Sequence, residues 1–437
     1  MKPKLLKTKD GVKVIIERCT DVKGIVFELH FNAGALNDPI GKSGLAHFCE
    51  HAIMGFATKK HSRAERSNNH GKFQQFNAYT ADYDTCYYVM TTKNKIDEAV
   101  DALTEPFSDI IYSQNNFDSE FKIISDEIAT QLKTNNMQRV HLLRNKVYKS
   151  KEFKNLGYTY AGSQESLNRI KLKDVQAFIE KFYNIVNLTV NVVGNITENE
   201  IKKLISKYVA TRLNKIGEKG FSIKNNLGYK EPAFYYEKAC EKDKALFYAH
   251  YKLLDFRTEK YYNRDWYIEN RIVSYVLSLV IFDYFRTKKE LCYSCSCNIF
   301  QKADGVYLSF NIVCQEENIN EVVKEYPEFI KSLFENFTEE KLNQAKEVFI
   351  GALNFDYNDL ASKANINFRQ YDIYGYLLDD KKTKKDEEFI KKFTYQRAIT
   401  ILKGIVGKKP NLIILANNEK YKDFDYKDFC KNTIIKK

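Results

Sequence analysis

Ser43-Gly44-Leu45-Ala46-His47-Phe48-Cys49-Glu50-His51-Ala52 places two of the chain's seven histidines four residues apart. Ser43-Gly44 suits a helix start, and Leu45, Phe48, Ala52 and Phe56 recur at helical spacing as a core-facing stripe. His47, Glu50, His51 and Met54 then share another face, and Cys49 points away from it. Imidazoles at i and i+4 stand one turn apart, so both can reach one metal ion while Glu50, between them, points at the metal's open position. The order H-x-x-E-H is the inverted form of the zinc-peptidase helix signature, in which the glutamate serves as base for a water. The rival reading is a pair of solvated histidines on a surface helix.

A catalytic zinc takes three protein ligands and keeps a fourth position open, so a third donor is needed. The best source is Phe117-Asp118-Ser119-Glu120-Phe121-Lys122-Ile123-Ile124-Ser125-Asp126-Glu127. Asp118 can cap this helix, Glu120 and Glu127 lie two turns apart along nearly one face, and Asp126 is rotated off it. One glutamate can bind metal while the other orients a ligand histidine. Spacing alone does not say which, and paired glutamates on a helix are more often a solvated face.

His47, Glu50 and His51, followed by Glu120 and Glu127, resemble the pitrilysin and insulinase family of inverted zinc metallopeptidases. The resemblance implies one zinc per chain, held by His47, His51 and Glu127, with Glu50 as general base and Glu120 supporting the site. It covers essentially the whole chain, with further family-like stretches at Gly162-Ser163-Gln164-Glu165-Ser166-Leu167 and Val192-Val193-Gly194.

Composition sets the bounds. A chain of 437 residues is long enough for two or more domains with sizeable cores, and 44% hydrophobic residues with 30 Tyr and 30 Phe fit a folded protein. Basic residues near Met1 have no apolar run behind them, and no stretch is long enough to span a membrane. Nine scattered cysteines fit a reducing compartment better than a disulfide framework. The expectation is a soluble, cytoplasmic protein. The net charge of +12 is not organised into a basic run interleaved with aromatics, so no nucleic-acid groove is expected.

Along the chain, a run ending at Asp10-Gly11 and followed by Val12, Val14 and Ile16 reads as a hairpin. A second strand sets Ile25, Phe27, Leu29 and Phe31 on one side and Glu28, His30 and Asn32 on the other, which makes His30 a strand-surface residue. After the histidine helix come a loop, a strand near Thr85, Tyr87 and Val89, and a helix carrying Ile96, Ala99, Val100, Leu103 and Phe107. Residues 213–232, with Gly217, Gly220 and Gly228 among lysines, read as a linker. Beyond it the pattern repeats: Phe117, Glu120 and Glu127 have counterparts in Phe337, Glu340 and Glu347, with Thr338 where Asp118 stands, and Asn187-Leu188-Thr189-Val190 parallels Asn411-Leu412-Ile413-Ile414. The prediction is an α+β protein of two tandem homologous α/β-sandwich domains, 1–212 and 233–437, each a mixed, largely antiparallel sheet packed by helices. With one histidine, His250, the second copy cannot rebuild the two-histidine site.

The resemblance adds three expectations. Asn77-Ala78-Tyr79-Thr80 resembles the family's edge strand, on which an extended peptide adds as a further strand, with Asn77 and Ala78 binding substrate. Gln74-Gln75-Phe76 departs from the glycines often found upstream of it. Arg286 and Tyr293, seven residues apart in Phe285-Arg286-Thr287-Lys288-Lys289-Glu290-Leu291-Cys292-Tyr293-Ser294, match an arginine and tyrosine that bind the substrate carbonyl side and steady the tetrahedral intermediate. Two chains are expected to close as a clam-shell chamber around peptides, as a homodimer or as a heterodimer with a degenerate homologue, so that this pair faces the zinc of the other subunit. Cys292, Cys295 and Cys297 read as packed free thiols rather than a metal site. The expected function is a zinc metalloendopeptidase acting on short or unfolded peptides, including precursor or leader peptides. Its alternative is a catalytically silent peptide-binding or scaffold subunit of a heteromeric complex.

Overall fold

The computed structural model describes residues 2–134, 160–220, 231–239, 241–255, 263–302, 305–354, 359–377 and 380–435. The chain opens with β1 (Lys4–Lys7) and β2 (Lys13–Arg18), paired antiparallel around a turn in which Gly11 takes φ 87°. β3 (Gly24–Phe31) alternates as predicted, burying Ile25, Phe27, Leu29 and Phe31. There follow α1 (Leu45–Gly55), α2 (Arg63–His70), β4 (Gln75–Thr80), β5 (Thr85–Thr92), α3 (Ile96–Thr104), α4 (Pro106–Asp109) and α5 (Gln114–Thr134). β6 (Leu188–Gly194) completes a six-stranded sheet in the order β1-β2-β6-β3-β5-β4.

β7 (Phe234–Glu237), β8 (Lys244–Asp255), β9 (Ser294–Lys302), β10 (Gly305–Gln315) and β11 (Asn411–Leu415) form a second sheet in the order β7-β11-β8-β10-β9. The order β2-β6-β3-β5-β4 maps onto it strand for strand. In each sheet the one parallel pair, β2 with β6 and β7 with β11, falls at the same place, and every other pairing is antiparallel. The two sheets packed by helices make the protein α+β, and the correspondence of β6 with β11 is the one the Asn187 and Asn411 segments predict.

Each sheet has its own core. Val14, Phe27, Leu29, Tyr87 and Val190 pack with Leu45, Phe48, Ala52, Val100, Ile124 and Phe178 from the helices on one face of the first sheet. Phe247, Tyr251, Phe310 and Ile414 do the same with Val273, Leu277, Tyr326 and Phe329 in the second. Such apolar burial, at about 25 cal/mol per Å², is the main stabilising term. No helix among the described residues is long and apolar enough to cross a membrane.

Four local expectations are corrected. The segment after α1 is not all loop: it contains α2, started by a capping box in which Ser62 Oγ accepts from Glu65 N and the Glu65 carboxylate accepts from Ser62 N. Pro106 ends the third helix and begins a separate short one, because its ring and missing N–H break the ladder. Asp118 lies inside α5, where it accepts a hydrogen bond from Gln114 Nε2 (2.7 Å), while Ser113 Oγ accepts from Asn116 N at the helix start. His30 is buried, 3% exposed, because the helix Leu360–Tyr374 from the second half crosses the other face of the first sheet and stacks Phe368 on the imidazole with ring centroids 3.4 Å apart.

Candidate metal centre

Both ends of α1 are held by side chains from other segments. At its start the Asp38 carboxylate accepts hydrogen bonds from Gly44 N (2.7 Å) and Ala46 N (2.8 Å), satisfying N–H groups that have no partner within the helix. Gly44 takes φ 94°, and a Cβ there would meet the Ala161 carbonyl oxygen at 2.4 Å, so the helix entry requires glycine. Ser166 Oγ donates to Ser43 O (2.8 Å), which ties the predicted Gly162–Leu167 stretch to the same corner. At the other end buried Arg66, from α2, donates to Ile53 O (2.6 Å) and Phe56 O. The helix carrying the histidines is thus fixed in place at both termini.

On that helix His47 and His51 turn their Nε2 atoms toward one carboxylate oxygen, Glu127 Oε2, each at 3.7 Å. Donor atoms of His47, His51 and Glu127 all lie within 4.8 Å of one another. His51 Nδ1 is 3.0 Å from Glu120 Oε2, and Arg63 Nη2 donates to Glu120 Oε1 (2.6 Å). Glu120 comes this close to α1 only because position 55 lacks a Cβ; an added one would meet Glu120 Oε1 at 2.2 Å. Glu50 is 9% exposed, and the Thr80 hydroxyl donates to its Oε2 at 2.6 Å. Cys49 points away, with Sγ 3.7 Å from Val175 O.

The electrostatics follow from this packing. Burial, aided by the charge of His51, drives His47 down to about 3, so it is a neutral imidazole. Burial also works against charge on His51, but hydrogen bonds to Glu120 and Glu127 raise it to about 9. Burial raises Glu50 above the usual carboxylate range, partly offset by the Thr80 hydrogen bond. Burial opposes the charge on Glu120, yet His51 and Arg63 hold it below that range.

These residues fit zinc. The donor set is two imidazole nitrogens and one carboxylate, a combination characteristic of catalytic zinc with an open position. Glu120 accepts the hydrogen bond of His51 Nδ1–H and leaves Nε2 facing Glu127, the carboxylate-to-histidine support that such ligands use. His47 Nδ1 is buried with no hydrogen-bond partner among the described residues, while its Nε2 is the atom turned to the cluster.

A cavity of about 330 Å³ opens beside the cluster, lined among others by Glu50, His51, Met54, Arg63, His70 and Asn77. Asn77 lies on the edge strand β4, where its Oδ1 accepts from Ala78 N (2.9 Å). Ala78 turns its methyl to the core. Arg286 and Tyr293 meet each other, the guanidinium 6.0 Å from the ring centroid and Nη1 donating to Cys292 O (2.9 Å). Arg286 stands on the helical turn Phe282–Lys288 and Tyr293 beside β9 in the second half, and neither is among the residues lining the cavity at His51. Tyr293 is 76% exposed. Cys292, Cys295 and Cys297 are free thiols, as are all eight cysteines among the described residues.

Asp38, Arg63, Arg66, Thr80 and Tyr160, whose ring is 5.5 Å from that of His47, escaped the sequence reading. The capping box Ser62-Arg63-Ala64-Glu65 was a usable signal for α2, and hence for both arginines. Nothing local marked Asp38 or Thr80, which act across the fold.

A two-histidine, one-glutamate cluster on helices packed against a mixed sheet, with a second sheet of matching strand order later in the chain, defines the class of an inverted zinc peptidase. The description "Insulinase (Peptidase family M16)" matches residues 13–159, and "Peptidase M16 inactive domain" matches residues 169–349. The chain belongs to the pitrilysin and insulinase family of zinc metallopeptidases. It is 24% identical over 370 residues to the "Uncharacterized zinc protease YmxG" of Bacillus subtilis, covering 82% of this chain and 85% of that one. To the probable mitochondrial-processing peptidase subunit beta of Arabidopsis thaliana it is 22% identical over 199 residues, 45% of this chain and 37% of that one. Among solved structures, a peptidase M16 inactive domain from Pseudomonas fluorescens superposes with TM-score 0.79 at 13% identity, covering 95% and 97% of the two chains. A protease from Helicobacter pylori gives 0.77 at 17% identity, covering 95% and 99%.

Proposed function

We propose that the chain is a zinc-dependent endopeptidase that hydrolyses short or unfolded peptides, a role that would include trimming precursor or leader peptides. The observation that carries this reading is the convergence of His47 and His51 Nε2 on one Glu127 oxygen, with Glu50 on the same helix. Zinc bound there by His47, His51 and Glu127, one per chain at this centre, supplies Lewis acidity and makes water acidic near neutral pH.

The protein's own groups account for the rest. Glu50, held by the Thr80 hydroxyl, takes the proton of the attacking water and passes it to the amine nitrogen that leaves. Burial raises its affinity for that proton, as a shuttle requires. Glu120 and Arg63 hold the His51 ring still. An extended peptide adds to the β4 edge at Asn77 and Ala78 through main-chain hydrogen bonds, which tolerate many sequences. Arg286 and Tyr293, from the facing subunit of a dimer, steady the oxyanion; their pairing and the exposure of Tyr293 support this role. A homodimer is the simplest assembly, since one chain carries both parts, and the free thiols support a cytoplasmic setting.

The test is mass spectrometry of a mixed peptide library incubated with the purified chain, with and without chelator. Cuts that stop on chelation and return with zinc are expected. Uncut peptides with the zinc-loaded chain in every arm would instead favour the silent, peptide-binding alternative.

A further inference from the structure

The opposite face of the first sheet carries a second group of side chains able to bind metal, set on β3 and β5 rather than on α1 and α5. Glu28 and His30 stand two residues apart on β3, and Cys86 is the cross-strand partner of His30 on β5. Donor atoms of Glu28, His30 and Cys86 all lie within 4.8 Å of one another. His30 Nε2 is 2.9 Å from Glu28 Oε2 and 3.6 Å from Cys86 Sγ. In a tetrahedral zinc site, nitrogen–oxygen and nitrogen–sulfur donor pairs stand about 3.3 and about 3.6 Å apart. The sulfur contact already has that spacing, and the carboxylate needs to withdraw by only a few tenths of an ångström.

The surroundings are built as those of a metal ligand are. Asp84 Oδ2 lies 3.3 Å from His30 Nδ1, so the carboxylate can hold the Nδ1 proton and leave the Nε2 lone pair facing Glu28 and Cys86. Asn191, fully buried on β6, donates to Glu28 Oε2 (2.7 Å) and fixes that carboxylate. Its own Oδ1 is buried beside the group with no hydrogen-bond partner among the described residues. Phe368 covers the imidazole face, and Asn191 also donates to Ala364 O (2.8 Å), so the helix Leu360–Tyr374 roofs the group. His30 is 3% exposed and Cys86 is fully buried. The buried thiol and imidazole thus sit against two carboxylates, Glu28 and Asp84, that are only 12% and 20% exposed, where an unpaired charge is costly.

We propose that Glu28, His30 and Cys86 form a second, three-ligand metal site that suits zinc and fastens the first sheet beneath the helix Leu360–Tyr374. One carboxylate oxygen, one imidazole nitrogen and one thiolate sulfur are a borderline-soft set that prefers zinc to magnesium or calcium. Binding releases the Cys86 thiol proton and the proton shared by His30 and Glu28, so a divalent ion meets one thiolate and one carboxylate and the site is neutral. The peptidase reading is not needed for this conclusion.

The test uses the full chain. Native mass spectrometry of the unmodified protein with added zinc should give two zinc ions per chain; a single one, or one that the changes His47→Ala and His51→Ala remove altogether, overturns the proposal. With those two changes in place, cobalt(II) should still bind one per chain and give a thiolate-to-cobalt charge-transfer band in the near ultraviolet. Adding Cys86→Ser should abolish that band; its persistence would assign the band to another of the thiols and refute the site. Zinc should also raise the Tm of the His47→Ala, His51→Ala protein, and this rise should vanish with Glu28→Gln.

Discussion

At the residue scale, the site depends on how closely α5 approaches α1 at Gly55. A methyl group there would sit 2.2 Å from Glu120 Oε1, so Gly55→Ala must push Glu120 off His51. The expected result is a fall in zinc affinity of about 10–100-fold, the usual effect of losing a ligand's support, read by competition with a chromogenic chelator. Arg63→Met should act in the same direction, since Arg63 Nη2 holds Glu120 at 2.6 Å. Unchanged affinity in both variants would remove Glu120 from the site. His47, Glu50 and His51 were legible in the sequence because their chemistry is local to one helix. The two glutamates were legible from spacing as a pair, and their division of labour only through the family resemblance, because the place of Glu120 depends on a glycine and an arginine contributed by α1 and α2.

At the element scale, α2 decides more than its polar sequence foretold. It delivers Arg66 to the carbonyls at the end of α1, with Nη2 2.6 Å from Ile53 O. Arg66→Met should destabilise the fold by about 2–3 kcal/mol in denaturant titrations, as expected for losing hydrogen bonds from a buried charge; a change near zero would show that α1 does not depend on it. His70, in the last turn of α2, stacks on Phe76 with ring centroids 3.9 Å apart. Burial, with the charge of Arg66, lowers it from 6.5 to about 4. The unfolded chain therefore binds this proton more readily than the folded one, and stability falls as pH drops from about 6.5 towards 4. His70→Gln should flatten that part of the stability profile; an unaltered profile would place the acid sensitivity elsewhere. The strands β2, β3 and β5 were legible from alternation and the hairpin from Asp10-Gly11. By contrast, α2 was hidden because it buries almost no apolar residue, leaving Ser62 and Glu65 as its only clear mark.

At the scale of the whole molecule, the tandem repeat was legible from two short matching segments, and it returned as two sheets of matching strand order. Sequence periodicity did not foresee that an element of the second half covers the first sheet. An alternating strand says which residues share a face, not what covers it, and so His30 read as exposed. That contact is polar as well as aromatic: Asn367 Nδ2 donates to Glu17 Oε2 at 2.7 Å, and Lys363 Nζ reaches Glu17 Oε1 at 3.4 Å. Glu17→Ala should speed deuterium exchange across 360–374 while leaving α1 protected. Equal exchange in parent and variant would mean that Glu17 does not anchor this helix. For assembly, light scattering after size exclusion should give the mass of two chains, and a monomer that still cleaves peptides would rule out a site shared between subunits.

The central claim is that Glu50 moves the proton while His47, His51 and Glu127 hold zinc. The most direct measurement is peptide cleavage and zinc content of Glu50→Gln beside the parent, because the change removes the base but none of the ligands. The account predicts that zinc content is retained while hydrolysis falls by at least about 100-fold, the usual scale for losing a general base. A Glu50→Gln protein that keeps its zinc and cleaves as fast as the parent would contradict it.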